Sequence, residues 1–177
     1  MDHLPLMGRF NAWVNERLYG AVAGLPQAAY RHDRKAFFGS IHNTLNHLLV
    51  VDRLWLGRIE GVEHGIEALD QILYDDFASL RAARRDEDRR LIELVDGLSE
   101  ERLRAPVQYR RIIGEGLEEA RAGHILITLF NHQTHHRGQV HAMLTQAGVV
   151  PPPLDVLVFL DELGESGPPG TIASETR

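Results

Sequence analysis

Residues 123 to 147, GHILITLFNHQTHHRGQVHAMLTQA, constrain the fold more than any other stretch, because apolar side chains recur there at helical spacing and stop at Gly148 and Pro151 to Pro153. Ile125, Leu129, His132, His136 and Met143 follow one another at intervals of four, three, four and seven. They form one stripe of an α-helix about 25 residues long, and a helix with a single apolar stripe needs partners to cover it. The same stripe carries two imidazoles into the surface that those partners would bury.

Other segments supply the partners. Residues 6 to 23 place Met7, Phe10, Val14, Leu18 and Val22 at helical spacing. The connection after them, with Gly24 and Pro26, shows no clean period. Ser40 is placed to cap a second helix through Leu45, Leu48, Leu49, Trp55 and Leu56, ending at Gly61. Residues 70 to 98 read as a third long amphipathic helix, with Ile72, Leu80, Leu91 and Leu94 apolar between charges. Its run RRDEDRR, 84 to 90, reads as a solvated face. Residues 105 to 120, with Pro106 and a GEG turn, suggest an irregular segment or short hairpin before the last long helix.

The expectation is an all-α, four-helix bundle, a fold that commonly builds sites from side chains on facing helices. It occupies residues 1–163 as one domain. LDVLVFLDEL, 154 to 163, packs across one end of the bundle, and residues 164–177 form a flexible tail.

Composition closes several routes. Nineteen basic against 25 acidic residues give a formal charge of −6, which counts against a nucleic-acid partner. No apolar run reaches the roughly 20 residues that span a bilayer, and a signal core is absent, so a cytoplasmic location is expected. The chain has no cysteine, so any site of zinc type must use histidine and carboxylate.

His132 and His136 lie four apart, one turn above each other, a spacing that suits two ligands of one ion. His135, three after His132, leaves the register of that pair open. His47 sits among Leu45, Leu48 and Val51 and is the candidate third ligand, with a satisfied core histidine as the alternative. Asn11, between Phe10 and Val14, is a candidate to line the site, with a local hydrogen bond as the alternative. His141 falls off the stripe, exposed or in an oligomer contact, while His3, His32, His42, His64 and His124 read as surface, loop or helix-end residues. Gly138 interrupts the last helix at about 1 kcal/mol against alanine, which close approach of another helix would justify.

The segments NHLLVVDRLWLGRI and LFNHQTHHRGQVHAMLTQAG, with FNAWVNERL near the start and LDVLVFLDE near the end, resemble the DinB family of damage-inducible-type proteins over nearly the whole chain. The resemblance implies a bundle of up-up-down-down-like connectivity, often a homodimer. It also implies a divalent metal held by one histidine of the second helix and an H-x-x-x-H pair of the last, here His47, His132 and His136. His135 then belongs to the pocket or outer shell. Zinc or nickel come first for such ligands, and iron or copper are compatible.

The wider superfamily is similar to enzymes that use low-molecular-weight thiols, including mycothiol-dependent maleylpyruvate isomerase and bacillithiol transferases. The implied function is a metal-dependent enzyme of the thiol S-transferase or isomerase type. The alternative is a non-catalytic stress-response protein with a structural metal. A hydrolase would need a nearby carboxylate base, and Asp52, five residues beyond His47, is off that residue's face.

Overall fold

A computed structural model describes residues 3–63 and 65–164. Among them the chain is mostly helical, in the order α1 (His3–Ala23), α2 (Gln27–Arg31), α3 (Ile41–Glu60), α4 (Phe77–Gly97), α5 (Glu100–Arg104), strands β1 (Pro106–Arg110) and β2 (Leu117–Arg121), α6 (Ala122–Gln146) and α7 (Val156–Glu162). Each of the long helices α1 and α3 packs against both α4 and α6. No helix among the described residues is long and apolar enough to cross a membrane. The expected tail, beyond Gly164, lies outside the described residues, as does His64.

Local chemistry accounts for the helix ends. The Ser40 hydroxyl accepts from the Asn43 N–H, and α3 stops at Gly61 in the left-handed region at φ 73°. The third long helix starts later than its pattern suggested. Asp76 caps it by accepting from the Ser79 N–H, which leaves Ile72 exposed in the preceding loop. Residues 105 to 120 resolve into the hairpin alternative, an antiparallel pair running from Pro106 opposite Arg121 to Arg110 opposite Leu117. The segment read as a plain connection holds the short helix α2.

The core has two apolar ends. Leu18, Ile41, Leu45, Leu49, Leu80, Val140 and Leu144 fill one. Leu56, Leu91, Val95, Ile125, Leu126 and Leu129 fill the other. Each such side chain contributes roughly 1.5–3 kcal/mol on burial. A smaller aromatic cluster joins Phe10 of α1 to Phe159 of α7, and Trp13 donates its indole N–H to Glu162 at 2.8 Å. Close helix approach occurs at Gly8, where an added Cβ would lie 2.9 Å from Val95 Cγ2. It does not occur at Gly138, which is exposed with open space around it, so the expected reason for that glycine is wrong.

Between the two apolar ends lies a buried polar layer drawn from all four long helices: Asn11 and Asn15, Asp52, Arg84 and Asp88, and Gln133 and Arg137. Arg84 Nη1 is 2.7 Å from Asp52 Oδ2, and its Nη2 is 3.0 Å from Asp88 Oδ1. Gln133 donates to Asp52, Asn11 and Asn15 donate to Asp88, and Arg137 donates to Asn11. One buried arginine, Arg84, thus bridges two buried carboxylates, while the second buried cation, Arg137, is met by asparagine oxygens. This corrects the reading of RRDEDRR: Arg84, Glu87 and Asp88 are buried, and only the other face of that turn is solvated.

Candidate metal centre

α3 and α6 lie side by side, and their contact brings His47 against His132 and His136. One ligand-type nitrogen from each ring lies within 4.8 Å of the other two. His47 Nε2 is 3.0 Å from His132 Nε2. Two nitrogens on one tetrahedral ion at about 2.0–2.1 Å would stand roughly 3.3 Å apart, so the spacing fits a shared cation.

Outer contacts set which nitrogens face inward. His47 Nδ1 lies 2.7 Å from the Leu69 carbonyl oxygen. A carbonyl only accepts, so Nδ1 carries the proton and the Nε2 lone pair points at His132. His136 Nδ1 donates to Gln139 Oε1 at 2.9 Å, which likewise frees its Nε2. His132 Nδ1 is buried with no hydrogen-bond partner. With Nε2 turned to the shared centre, Nδ1 stays unmet with or without a cation, at about 1–3 kcal/mol for such a group. It is the convergence of the three rings that fits a divalent ion of borderline softness.

Burial lowers the pKa of all three imidazoles. It brings His47 down to about 4, with His136 adding to the effect and the Leu69 bond opposing it. It brings His132 down to about 3, with His136, His47 and His135 contributing. His136 is lowered by burial while Gln139 opposes. The rings are neutral at pH 7 and compete with no proton for a metal.

The histidines form one wall of a cavity of about 650 Å³, to which His47, His135 and His136 contribute with Phe37, Phe38, Leu69, Ile112, Ile113, Glu67, Asp70 and Gln139. Phe38 stacks on His47 with ring centroids 3.9 Å apart and lies 5.5 Å from His136. Phe37 is 84 % exposed at the margin. His135 is exposed, lines this cavity and meets Gln139 Nε2 at 3.2 Å, so it stands beside the triad.

A model of the DinB family matches residues 1–168. The chain belongs to the DinB family. It is 25% identical over 164 residues to Protein DinB of Bacillus subtilis (strain 168), an alignment covering 85% of this chain and 90% of that protein. A crystal structure of a DinB-like protein from Bacillus cereus ATCC 10987 is similar with a TM-score of 0.61 at 19% identity, covering 79% of this chain and 89% of that one. At that identity the likeness speaks for the shared DinB fold alone.

Other expected site residues fall elsewhere. Asn11 lies in the buried polar layer, bonded to Asp88 and Arg137, and does not line the cavity. Asp52 is fully buried against Arg84 and Gln133, consistent with its reading as no base for this site. His42, read as a surface residue, is buried with Nδ1 3.0 Å from the Tyr30 hydroxyl. His141 is half-buried, its Nε2 3.2 Å from the Pro152 carbonyl.

Three contributors escaped sequence reasoning. Gln139 was detectable, standing three and four residues after two histidines of one helix. Phe38 and Leu69 lie in loops, and nothing local marks them as neighbours of His47.

Proposed function

We propose that this chain is a metal-dependent enzyme of the thiol S-transferase or isomerase type, using a low-molecular-weight thiol as cosubstrate. The observation that carries this reading is the donor set: three neutral imidazoles converge beside an apolar cavity, and no fourth histidine or carboxylate among the described residues joins them. A three-ligand site with an open position is the pattern of catalytic rather than structural zinc. A divalent metal bound there supplies Lewis acidity, which favours the anionic form of a thiol at neutral pH.

The protein's own groups do the rest. Leu69 and Gln139 fix the ring orientations of His47 and His136. Phe38, Leu69, Ile112 and Ile113 present an apolar surface to a substrate and exclude water from it. The chain has no sulfur nucleophile among its side chains, so the reacting sulfur belongs to the cosubstrate.

A structural metal tying α3 to α6 is the competing reading, favoured by the position of the triad across that helix contact. Elemental analysis of untagged protein, followed by assay of the zinc- and nickel-loaded forms with small thiols and a chromogenic electrophile, separates the two. Near-stoichiometric metal with turnover that His136→Ala abolishes supports the enzyme. Metal that raises the melting temperature without turnover supports the structural role, and no metal uptake removes both.

A further inference from the structure

A second cavity of about 590 Å³ adjoins the first, and Glu67 and Ile112 line both. Its chemistry differs. Among the described residues, Arg53, Arg58 and Arg110 line it with Glu63 and Glu67, one net positive charge, whereas the histidine cavity has Glu67 and Asp70 and no arginine.

Arg58 stands apart from its neighbours. Its guanidinium lies between the rings of Trp55 and Tyr109, 4.4 and 4.5 Å from their centroids. One N–H of Nη2 donates to the Arg110 carbonyl at 2.6 Å. A guanidinium has five N–H donors, so four remain. No carboxylate among the described residues pairs with Arg58, although half-buried Arg53, Arg81 and Arg90 each face a glutamate. Burial lowers its pKa from the ordinary value. The aromatic sandwich fixes the plane of the group in a wall of the cavity and leaves its charge unanswered.

We propose that this cavity is an anion subsite in which Arg58 binds the carboxylate of a small elongated ligand whose reactive end lies at the histidines. The second half of that statement rests on the thiol-enzyme reading above, and the first half does not. Arg58 is the one guanidinium that two aromatic rings fix in the wall, Arg110 being unpaired among the described residues but exposed. One net positive charge matches a carboxylate monoanion better than a phosphate, which collects several donors. Arg53 adds little, being engaged with the Tyr74 hydroxyl and Glu87. A ligand crossing Ile112 between the two cavities would carry an apolar middle, which makes an ω-mercapto fatty acid the simplest mimic.

The test begins with metal-free protein, titrated by calorimetry with hexanoate, hexanamide and inorganic phosphate, with the two indole N–H resonances followed by NMR. Hexanoate is expected to bind at least about tenfold more tightly than the amide, as a charge-assisted fork implies, and to move the Trp55 resonance and not that of Trp13. Arg58→Gln is expected to remove that preference. Equal binding of acid and amide by the parent overturns the proposal, and this result needs no variant to fold. So does tighter binding of phosphate than of hexanoate, or hexanoate binding undiminished by Arg58→Gln in a variant whose circular dichroism matches the parent. In zinc-loaded protein, 6-mercaptohexanoate is expected to bind at least about tenfold more tightly than either hexanoate or hexanethiol. Failure of zinc loading alone strikes at the metal reading and leaves the hexanoate result standing. Normal loading with no gain for the mercapto acid overturns the spanning ligand.

Discussion

Two groups of polar side chains sit on adjacent faces of α6, and they are held by different means. Gln133 and Arg137 face the layer between the apolar ends of the core, where cations, carboxylates and amides answer one another across four helices. His132 and His136, one residue earlier in each case, face His47 of α3, where three neutral rings converge on one centre with no charged group among them. The first group meets its charges with protein counter-charges, although Asp52 Oδ1, Arg84 Nε and Gln133 Oε1 are left without a hydrogen-bond partner. The second has no counter-charge and converges on a point that a cation could fill. A buried ion-pair layer seldom adds net stability over an apolar one, but removing one member leaves a buried charge uncompensated. A convergent imidazole set behaves differently: its members can be lost singly with little effect on the fold while the ligand they would share is lost with them.

The largest effect expected from that contrast is at Arg84. Arg84→Met strands Asp52 and Asp88 and should cost about 3–5 kcal/mol in a urea unfolding experiment, or prevent folding altogether. A loss under about 1 kcal/mol would mean that the layer is not a coupled charge network. At the histidines the expected loss is in metal affinity. His47→Ala should weaken zinc binding in a chelator competition by more than the roughly 10–100-fold typical of losing an outer partner, while metal-free stability changes far less than in Arg84→Met.

Gln139→Leu comes next, at about 10-fold in the same competition, because it removes only the acceptor that orients His136. Affinity equal to the parent's would show that Gln139 does not hold the ring.

A further effect is in pH. The folded-state pKa values of His47 and His132, about 4 and about 3, lie below the ordinary value near 6.5. The unfolded chain therefore binds more protons between these limits, and stability falls as pH drops from about 6.5 to about 3. Asp88 runs the other way: burial pushes its carboxyl up to about 6 against the opposing pull of Arg84, so its contribution is lost as pH rises through that value. Denaturant midpoints of metal-free parent and a His47→Leu, His132→Leu double variant should diverge on acidification, the parent falling faster. Parallel curves would remove the burial of neutral imidazole as a source of the slope.

Much of this was legible without a structure, and the failures share a cause. The long helices followed from period, Ser40 and Gly61 from cap chemistry, and the triad from an i, i+4 pair plus one histidine in an apolar run, with its register assigned by the family resemblance. The polar layer was missed, although it left a trace. Asn11 and Asn15, Arg84 and Asp88, and Gln133 and Arg137 are each four apart, the same spacing that singled out the histidines. Charges written in alternation look solvated until a facing helix supplies the counter-charge, which is how Arg84 and Asp88 were misread. Asn11 was drawn toward the wrong site for the same reason.

Sequence alone determined which residues share a helix face, because a 3.6-residue repeat fixes side-chain direction from the backbone outward. It also determined that any metal here would meet nitrogen or oxygen ligands, since the chain has no cysteine. Only the tertiary structure decided which polar stripe met charge and which met a cavity. The Leu69 carbonyl reaches His47 from 22 residues away, and Asp52 meets Gln133 from 81. Such contacts depend on how loops close and helices pack, and no local repeat encodes that pairing.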